Sequence, residues 1–264
     1  MEQIKVVVFG AAGRVGREVV TAVCQDPGMS LVGAVDAKVA GDSLVLPDGS
    51  GSVPFSSDYA EILDTCKPDV AVDFTVARAS MPALRTAAPK GVHTVIGATG
   101  FSEDDLEEMK QLALDHNVGI FVAPNFALGA VMMIHLAKIA GKYFDHAEII
   151  ELHHDHKLDA PSGTALTTAQ EMGAARGRPF LPPATGEPTE SRGLNVEGID
   201  IHSVRLPGLM AHQEVLFGGP GQTLSIRHDT INRECYMPGV LMAVKEMTKR
   251  RGFVYGLDTL LGLS

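Results

Sequence analysis

The first half of the chain alternates two hydrophobic periods. Nearly continuous apolar, β-branched runs at Ile4–Gly10, Leu31–Asp36, Asp69–Thr75, His93–Gly97 and Gly119–Ala123 read as strands. Between them the spacing is helical. Arg14–Cys24 carries Val15, Val19, Val20 and Val23 on or near one face, and Tyr59–Cys66, Ala79–Ala88 and Glu103–His116 follow. In Ala79–Ala88 the proline at 82 is expected in the first turn. Unbroken apolar strands separated by helices predict a parallel sheet covered on both faces.

The pattern changes after Phe126. Leu128–Lys142 is a long, mostly apolar helix, His146–His154 a strand with a polar end, and Gly163–Arg176 a helix. Arg178–Gly198 has no period and is rich in Pro, Gly, Thr, Ser and Glu, which reads as a long functional or mobile loop. Ile199–Leu206, His212–Phe217 and Thr223–Asp229 are strand-like with no helix between them, so their sheet should be antiparallel or mixed. Arg233–Arg251 reads as a helix and Leu257–Leu261 as a last turn. The fold class expected is an α/β, Rossmann-type parallel-sheet domain plus a smaller α+β domain. Their expected spans are residues 1–125 and 126–233, with residues 234–264 packing a C-terminal helix back on the first domain.

Composition narrows the function classes. The 264 residues suffice for a sizeable core, and 45% hydrophobic with 20% charged residues is ordinary for a globular protein. No apolar run reaches the roughly 18 residues of a membrane span, and the N-terminus lacks the layout of a signal peptide. The three cysteines, Cys24, Cys66 and Cys235, are scattered and suggest a reduced, cytoplasmic protein. The net charge is -10, and the basic triplet Lys249-Arg250-Arg251 reads as a helix C-terminus, so no nucleic-acid partner is expected. An anionic substrate must then be caught by a local positive site, because the global field repels it.

Gly10-Ala11-Ala12-Gly13-Arg14-Val15-Gly16 lies between the first strand and the first helix, where a glycine turn has meaning. Gly10 permits the tight turn, Gly13 lets backbone approach a pyrophosphate, and Gly16 lets the helix lie close on the strand. The helix start offers N–H groups and a positive dipole end to phosphates. GxxGxxG is looser than GxGxxG and alone also fits a packing turn. Asp36 strengthens the reading: it ends the second strand, 20 residues after Gly16, where an acid bonds ribose hydroxyls. NADH is favoured by that acid, with Lys38, Arg14 or Lys5 as receivers of the extra phosphate of NADPH. Further strand ends should converge on the nucleotide: Phe74 and Thr75, then Gly97, Ala98 and Thr99, then Ala123, Pro124, Asn125 and Phe126.

The most chemical segment runs from Glu151 to Thr164. A strand delivers His153 and His154 in succession; neighbours on a strand face opposite ways, so both line one pocket only if the strand is ending. Lys157 and Asp159 follow, then Pro161, a capping Ser162, Gly163 and Thr164 open a helix. That helix start, with two hydroxyls, a glycine and a lysine, suits a carboxylate. Lys157 and a histidine suit a second one, and His153 suits a general acid, since imidazole titrates near neutral pH. A metal site in His153-His154-Asp155-His156 is disfavoured because the residues are too contiguous, so no metal is expected. A serine hydrolase is disfavoured because GxSxG is absent. A plain polar loop remains the bland alternative.

The run Glu151–Thr164, continuing through Ala165, resembles the signature of the dihydrodipicolinate reductase family. The resemblance extends over essentially the whole chain: the Gly10–Gly16 turn, Asp73-Phe74-Thr75, Gly97–Phe101, Asn125-Phe126, Gln213-Glu214-Val215 and Arg233. It implies an NADH- or NADPH-dependent reduction of a cyclic imine dicarboxylate of lysine and diaminopimelate biosynthesis, with hydride going to ring C4 and a proton to C3. It implies His153 as proton donor with Lys157 beside it, and His154, Lys157, Ser162, Gly163 and Thr164 as holders of the carboxylates. Arg233 is implied on the cofactor side, and a homotetramer is implied through the second domain's sheet. Three positions depart from many members: Ala98 and Ala127 stand where Thr and Ser are common, and Val76 where some carry Arg, with Arg78 two places on. Another reductase of imino or amino acids would share the glycine turn without the Lys157–Thr164 cradle. A non-catalytic dinucleotide sensor would need neither His153 nor Lys157.

Overall fold

A computed structural model describes residues 3–39, 41–182 and 190–263. The chain divides into two compact units, Met1–Ala127 with Arg233–Ser264, and Leu128–Asn232. The boundaries therefore fall at 127/128 and 232/233, so Phe126 and Arg233 lie in the first unit rather than the second.

The first unit begins with β1 (Ile4–Phe9), whose Val6, Val7 and Val8 are fully buried. α1 (Arg14–Gln25) turns Gly16, Val19, Val20 and Val23 inward. β2 (Met29–Val35) is followed by two short strands, β3 (Ser43–Val45) and β4 (Ser52–Ser56). These two were not legible in a stretch of Gly, Ser, Asp and Pro; their only signal is Val53 and Phe55, buried on either side of Pro54. Then come α2 (Tyr59–Cys66), β5 (Val70–Asp73), α3 (Ala77–Ala87), β6 (His93–Ile96), α4 (Glu103–Asp115) and β7 (Gly119–Val122). α3 starts two residues before the expected point, which puts Pro82 inside the helix rather than in its first turn.

In the second unit, α5 (Leu128–Gly141) leads to β8 (His146–His153) and α6 (Gly163–Arg176). Residues 183–189 of the long loop lie outside the described residues; after them come a short 3-10 turn at Glu190–Arg192 and β9 (Leu194–Val196), where no structure was expected. β10 (Ile199–Arg205), β11 (Ala211–Gly219) and β12 (Gln222–Thr230) complete a mixed sheet in the order β12-β11-β8-β10-β9. β10 runs parallel to β8 and the other pairs are antiparallel. One face buries Ile149, Ile201, Val215 and Phe217 against Met133 and Ala137 of α5 and Ala165, Ala169 and Met172 of α6.

The chain then returns to the first unit. Instead of one helix over Arg233–Arg251, a 3-10 turn at Arg233–Tyr236 packs on α1, and α7 (Met237–Met247) begins where Pro238 presets the backbone. The basic triplet lies beyond this helix, and an unexpected strand, β13 (Gly252–Tyr255), precedes α8 (Leu257–Leu261). The first unit's sheet has the order β13-β7-β6-β5-β1-β2-β4-β3, parallel throughout except for β3 against β4. The order reverses about β1, the switch point where doubly wound sheets bind ligands beyond the carboxyl ends of their strands. Among the described residues no helix is long and apolar enough to cross a membrane.

Candidate active site

In the first unit the glycine turn is built from backbone. Gly10 and Ala11 N–H groups bond the Val35 carbonyl at 2.8 and 3.2 Å, and Gly13 N–H bonds the Gly10 carbonyl at 2.9 Å. Gly10 has φ +79°, and a Cβ there would meet the Phe74 carbonyl oxygen at 3.1 Å. A Cβ on Gly16 would fall on the Gly10 carbonyl, so a side chain at 16 would push α1 off the turn. α1 begins without a side-chain cap and without an acid in its first turn. α4, by contrast, starts with a Ser102/Asp105 capping box and three acids, Glu103, Asp104 and Asp105. Only the first arrangement suits an anionic ligand.

Asp36 follows β2 beside this turn, where its two oxygens accept the Ala12 and Lys38 N–H groups, each at 2.9 Å. Each oxygen keeps a second lone pair for a sugar hydroxyl. Lys38 is exposed here, and Arg14 opens α1. Lys5 sits near the opposite end of β1, so the structure removes it from the phosphate receivers.

The neighbouring strand ends are ordered by short bonds. Asp73 is buried and accepts from Thr75 N–H at 2.8 Å and Thr75 Oγ1 at 2.6 Å, while burial pushes its carboxyl up from the ordinary range. The Thr75 hydroxyl thus donates inward rather than to a ligand. The Phe74 ring lies 5.4 Å from that of Phe126 at a tilt of 53°, and it fills the space a Cβ on Gly97 would need. Ala98 is buried and Thr99 exposed beside a pocket of about 70 Å3, which Pro124 also lines. Ala123 is fully buried at the end of β7, and Asn125 accepts the Ala127 N–H at 2.9 Å. These residues fit a dinucleotide: an open helix start, a cradle that a side chain would fill, and an acid at the ribose position.

In the second unit β8 ends at His153, so the alternation rule does not bind His154. His154 begins a turn in which its carbonyl accepts the Lys157 N–H at 3.1 Å, and its Nδ1 is buried without a hydrogen-bond partner. Such a buried polar atom is ready for a ligand. Lys157 Nζ lies 2.8 Å from both oxygens of Asp159, and this contact holds the Asp159 carboxyl below its usual range. Ser162 is the cap of α6: its Oγ accepts the Ala165 N–H at 3.2 Å. α6 also has no acid in its first turn, and a Cβ on Gly163 would meet open space.

Two residues missed at the level of sequence join this segment. Glu151, fully buried, accepts the His153 ring at 2.5 Å, Arg205 at 2.8 and 2.9 Å, and the Ser162 N–H at 3.2 Å. Burial alone would raise its carboxyl, but bonds from His153, Arg205 and Ser203 outweigh that and hold it at about 2. The Glu151 signal was available, because residues two apart on a strand share a face. Arg205 reaches the site only through the pairing that sets it opposite His153 on the adjacent strand. Gln213, set opposite Glu151 by β11, bonds Thr168 Oγ1 at 2.8 Å, which in turn bonds the Thr164 carbonyl at 2.7 Å.

A doubly wound nucleotide-binding unit, and a second unit bearing a histidine, a lysine and an acid-free helix start, define a nicotinamide-dependent oxidoreductase that handles an anionic substrate. Family models narrow this class: residues 4–126 match "Dihydrodipicolinate reductase, N-terminus" and residues 129–261 match "Dihydrodipicolinate reductase, C-terminus". The chain belongs to the dihydrodipicolinate reductase family. It is 57% identical over 263 residues to a 4-hydroxy-tetrahydrodipicolinate reductase of Dehalococcoides mccartyi, covering 100% of both chains. It is 49% identical to the enzyme of that name in Moorella thermoacetica, covering 98% of both. A solved dipicolinate-bound dihydrodipicolinate reductase from Paenisporosarcina sp. TG-14 aligns with TM-score 0.86 and 41% identity over 98% of this chain and 99% of that one. An amine dehydrogenase from Mycobacterium smegmatis, at 17% identity and TM-score 0.66, shares the fold alone.

Proposed function

We propose that this protein reduces 4-hydroxy-tetrahydrodipicolinate, by way of its dehydrated ring, to tetrahydrodipicolinate in lysine and diaminopimelate biosynthesis. The observation that carries the reading is the joint anchoring of His153 and the α6 start, Ser162-Gly163-Thr164, on one buried carboxylate. A ring with two carboxylates needs a proton donor set beside its anion cradle, and this arrangement supplies both.

NADH or NADPH, bound at Gly10–Gly16 and Asp36, supplies the hydride. The N–H groups and hydroxyls of Ser162, Gly163 and Thr164 receive one carboxylate, and Lys157 with His154 receives the other. Lys157 leaves Asp159 to do so, exchanging an exposed carboxylate partner for that of the substrate. His153 then gives its Nε2 proton to the ring carbon next to the reduced one. That bond breaks as the new C–H bond forms, while Nδ1–H stays on Glu151.

A cytoplasmic homotetramer completes the reading. Its support is β12, a nine-residue edge strand with mostly exposed side chains, beside a sheet whose second face is only half-buried. Light scattering on the purified protein should give four times the 28.0 kDa chain mass.

The deciding experiment supplies the protein with the freshly formed condensation product of pyruvate and aspartate semialdehyde and follows loss of nicotinamide absorbance. Turnover with NADH, NADPH or both is expected. Absence of turnover with either would overturn the assignment.

A further inference from the structure

Glu151 carries a charge with no access to water, and beside the Ser203 contact its bonds come from groups of different kinds. Oε1 accepts Arg205 Nη2 at 2.8 Å and the Ser162 N–H at 3.2 Å. Oε2 accepts Arg205 Nη1 at 2.9 Å and His153 Nδ1 at 2.5 Å. Arg205 Nη2 also donates to the Asp159 carbonyl at 2.5 Å, which ties the loop between β8 and α6 to the same guanidinium. A packing role would be met by the Arg205 fork alone. Here Oε2, besides its half of the fork, also accepts the imidazole of the proposed acid.

We propose that Glu151 and Arg205 are positioning residues for proton donation. Glu151 sets the tautomer and angle of the His153 ring with Nε2 outward, and Arg205 locks Glu151 in that place. A carboxylate only accepts, so Nδ1 must be the donor and Nε2 is left as the atom that exchanges its proton. The Arg205 fork keeps Glu151 ionised through the reaction, so the proton moves from Nε2 to the substrate and not into the carboxylate. Because Oε1 also holds the Ser162 N–H, the acid and the carboxylate cradle hang on one anchor.

Among the described residues, the charged groups in this network are Glu151 on the same strand, which bonds the imidazole, and Arg205 on β10, which bonds Glu151 and the carbonyl of Asp159, the partner of Lys157. β11 contributes Ala211 opposite His153 and the neutral Gln213 opposite Glu151, and α6 contributes the neutral Ser162.

This inference rests on His153 being the acid, and the test separates the two. Full-length Glu151→Gln, Glu151→Asp, Arg205→Lys, His153→Gln and the double variant Glu151→Gln/His153→Gln are compared by kcat, KM and pH profile, with melting temperature and NADH binding as folding controls. Glu151→Gln is expected to lower kcat about 10- to 100-fold with a smaller change in KM. It should also move the alkaline limb of the kcat profile to lower pH, because the imidazolium loses its charged partner. Glu151→Asp should restore that limb in part. In the His153→Gln background Glu151→Gln should add little, since the two act as a unit. Should Glu151→Gln fail to fold, Arg205→Lys carries the test: it keeps the charge, loses the fork and should lower kcat in the same direction. A parental kcat and pH profile in Glu151→Gln or, where that variant does not fold, in Arg205→Lys, or a fully additive loss in the double variant, would overturn the inference. A parental kcat in His153→Gln would instead remove the acid itself, and the proposal with it.

Discussion

The two helix starts proposed as anion sites are built in opposite ways. At α1 no side chain caps the helix, and the work falls to glycine backbone folded against the carbonyls of Val35 and Gly10. At α6 the helix is capped by Ser162, and the site is made by side chains tied through Glu151 to a neighbouring strand. The difference follows from what each must do. A pyrophosphate needs only many N–H groups and room to approach. A ring that must gain a proton needs an acid held in one tautomer and at one angle, and that takes a network of fixed charges.

The largest expected effect falls on the α6 side. His153→Gln should lower kcat by about 10²- to 10⁴-fold while leaving nucleotide affinity at the parental value, as kinetics and nucleotide titration would show. An effect mainly on KM would move His153 from proton donation to binding. Lys157→Ala should raise the substrate KM by roughly 10- to 100-fold with little change in kcat, the loss of a charged hydrogen bond. On the other side, Gly16→Ala sets a methyl group against the Gly10 carbonyl. It should destabilise the protein by about 1–3 kcal/mol and weaken nucleotide binding with it, readable from thermal melts with and without NADH. Ser162→Ala should cost about 1 kcal/mol of stability through the lost cap, whereas α1 has no cap to lose.

The comparison also predicts a pH dependence. The folded Glu151 carboxyl lies at about 2, below its ordinary value of 4.5. A depressed folded value stabilises the native state above about 4.5, and that contribution is lost as pH falls toward 2. Thermal melts on acidification should therefore fall more steeply for the parent than for Glu151→Gln. Equal slopes would mean that Glu151 is not held ionised by its partners.

The same contrast explains what could be seen in the sequence. The glycine turn, Asp36 and the Ser162 cap are local: spacing along the chain specifies them, and the fold places them where spacing implied. His153 and Lys157 were visible as residue types in an unusual cluster, but their bonds were not. Arg205 lies 54 residues from Glu151, and only the parallel pairing of β10 with β8 brings them together. The elements that escaped notice, β3, β4, β9 and β13, are three to five residues long, too short to show a period. The helix expected over Arg233–Arg251 starts only at Met237, where Pro238 presets the backbone, and ends at Met247, limits that local propensity alone did not reveal.

One measurement tests the division of labour most directly: NADH affinity, and dipicolinate affinity at saturating NADH, for the parent, Gly16→Ala and Lys157→Ala. Gly16→Ala should weaken NADH and spare dipicolinate, and Lys157→Ala should weaken dipicolinate and spare NADH. If both variants weakened the same ligand, or Lys157→Ala left dipicolinate binding unchanged, the assignment of one anion to each helix start would be wrong.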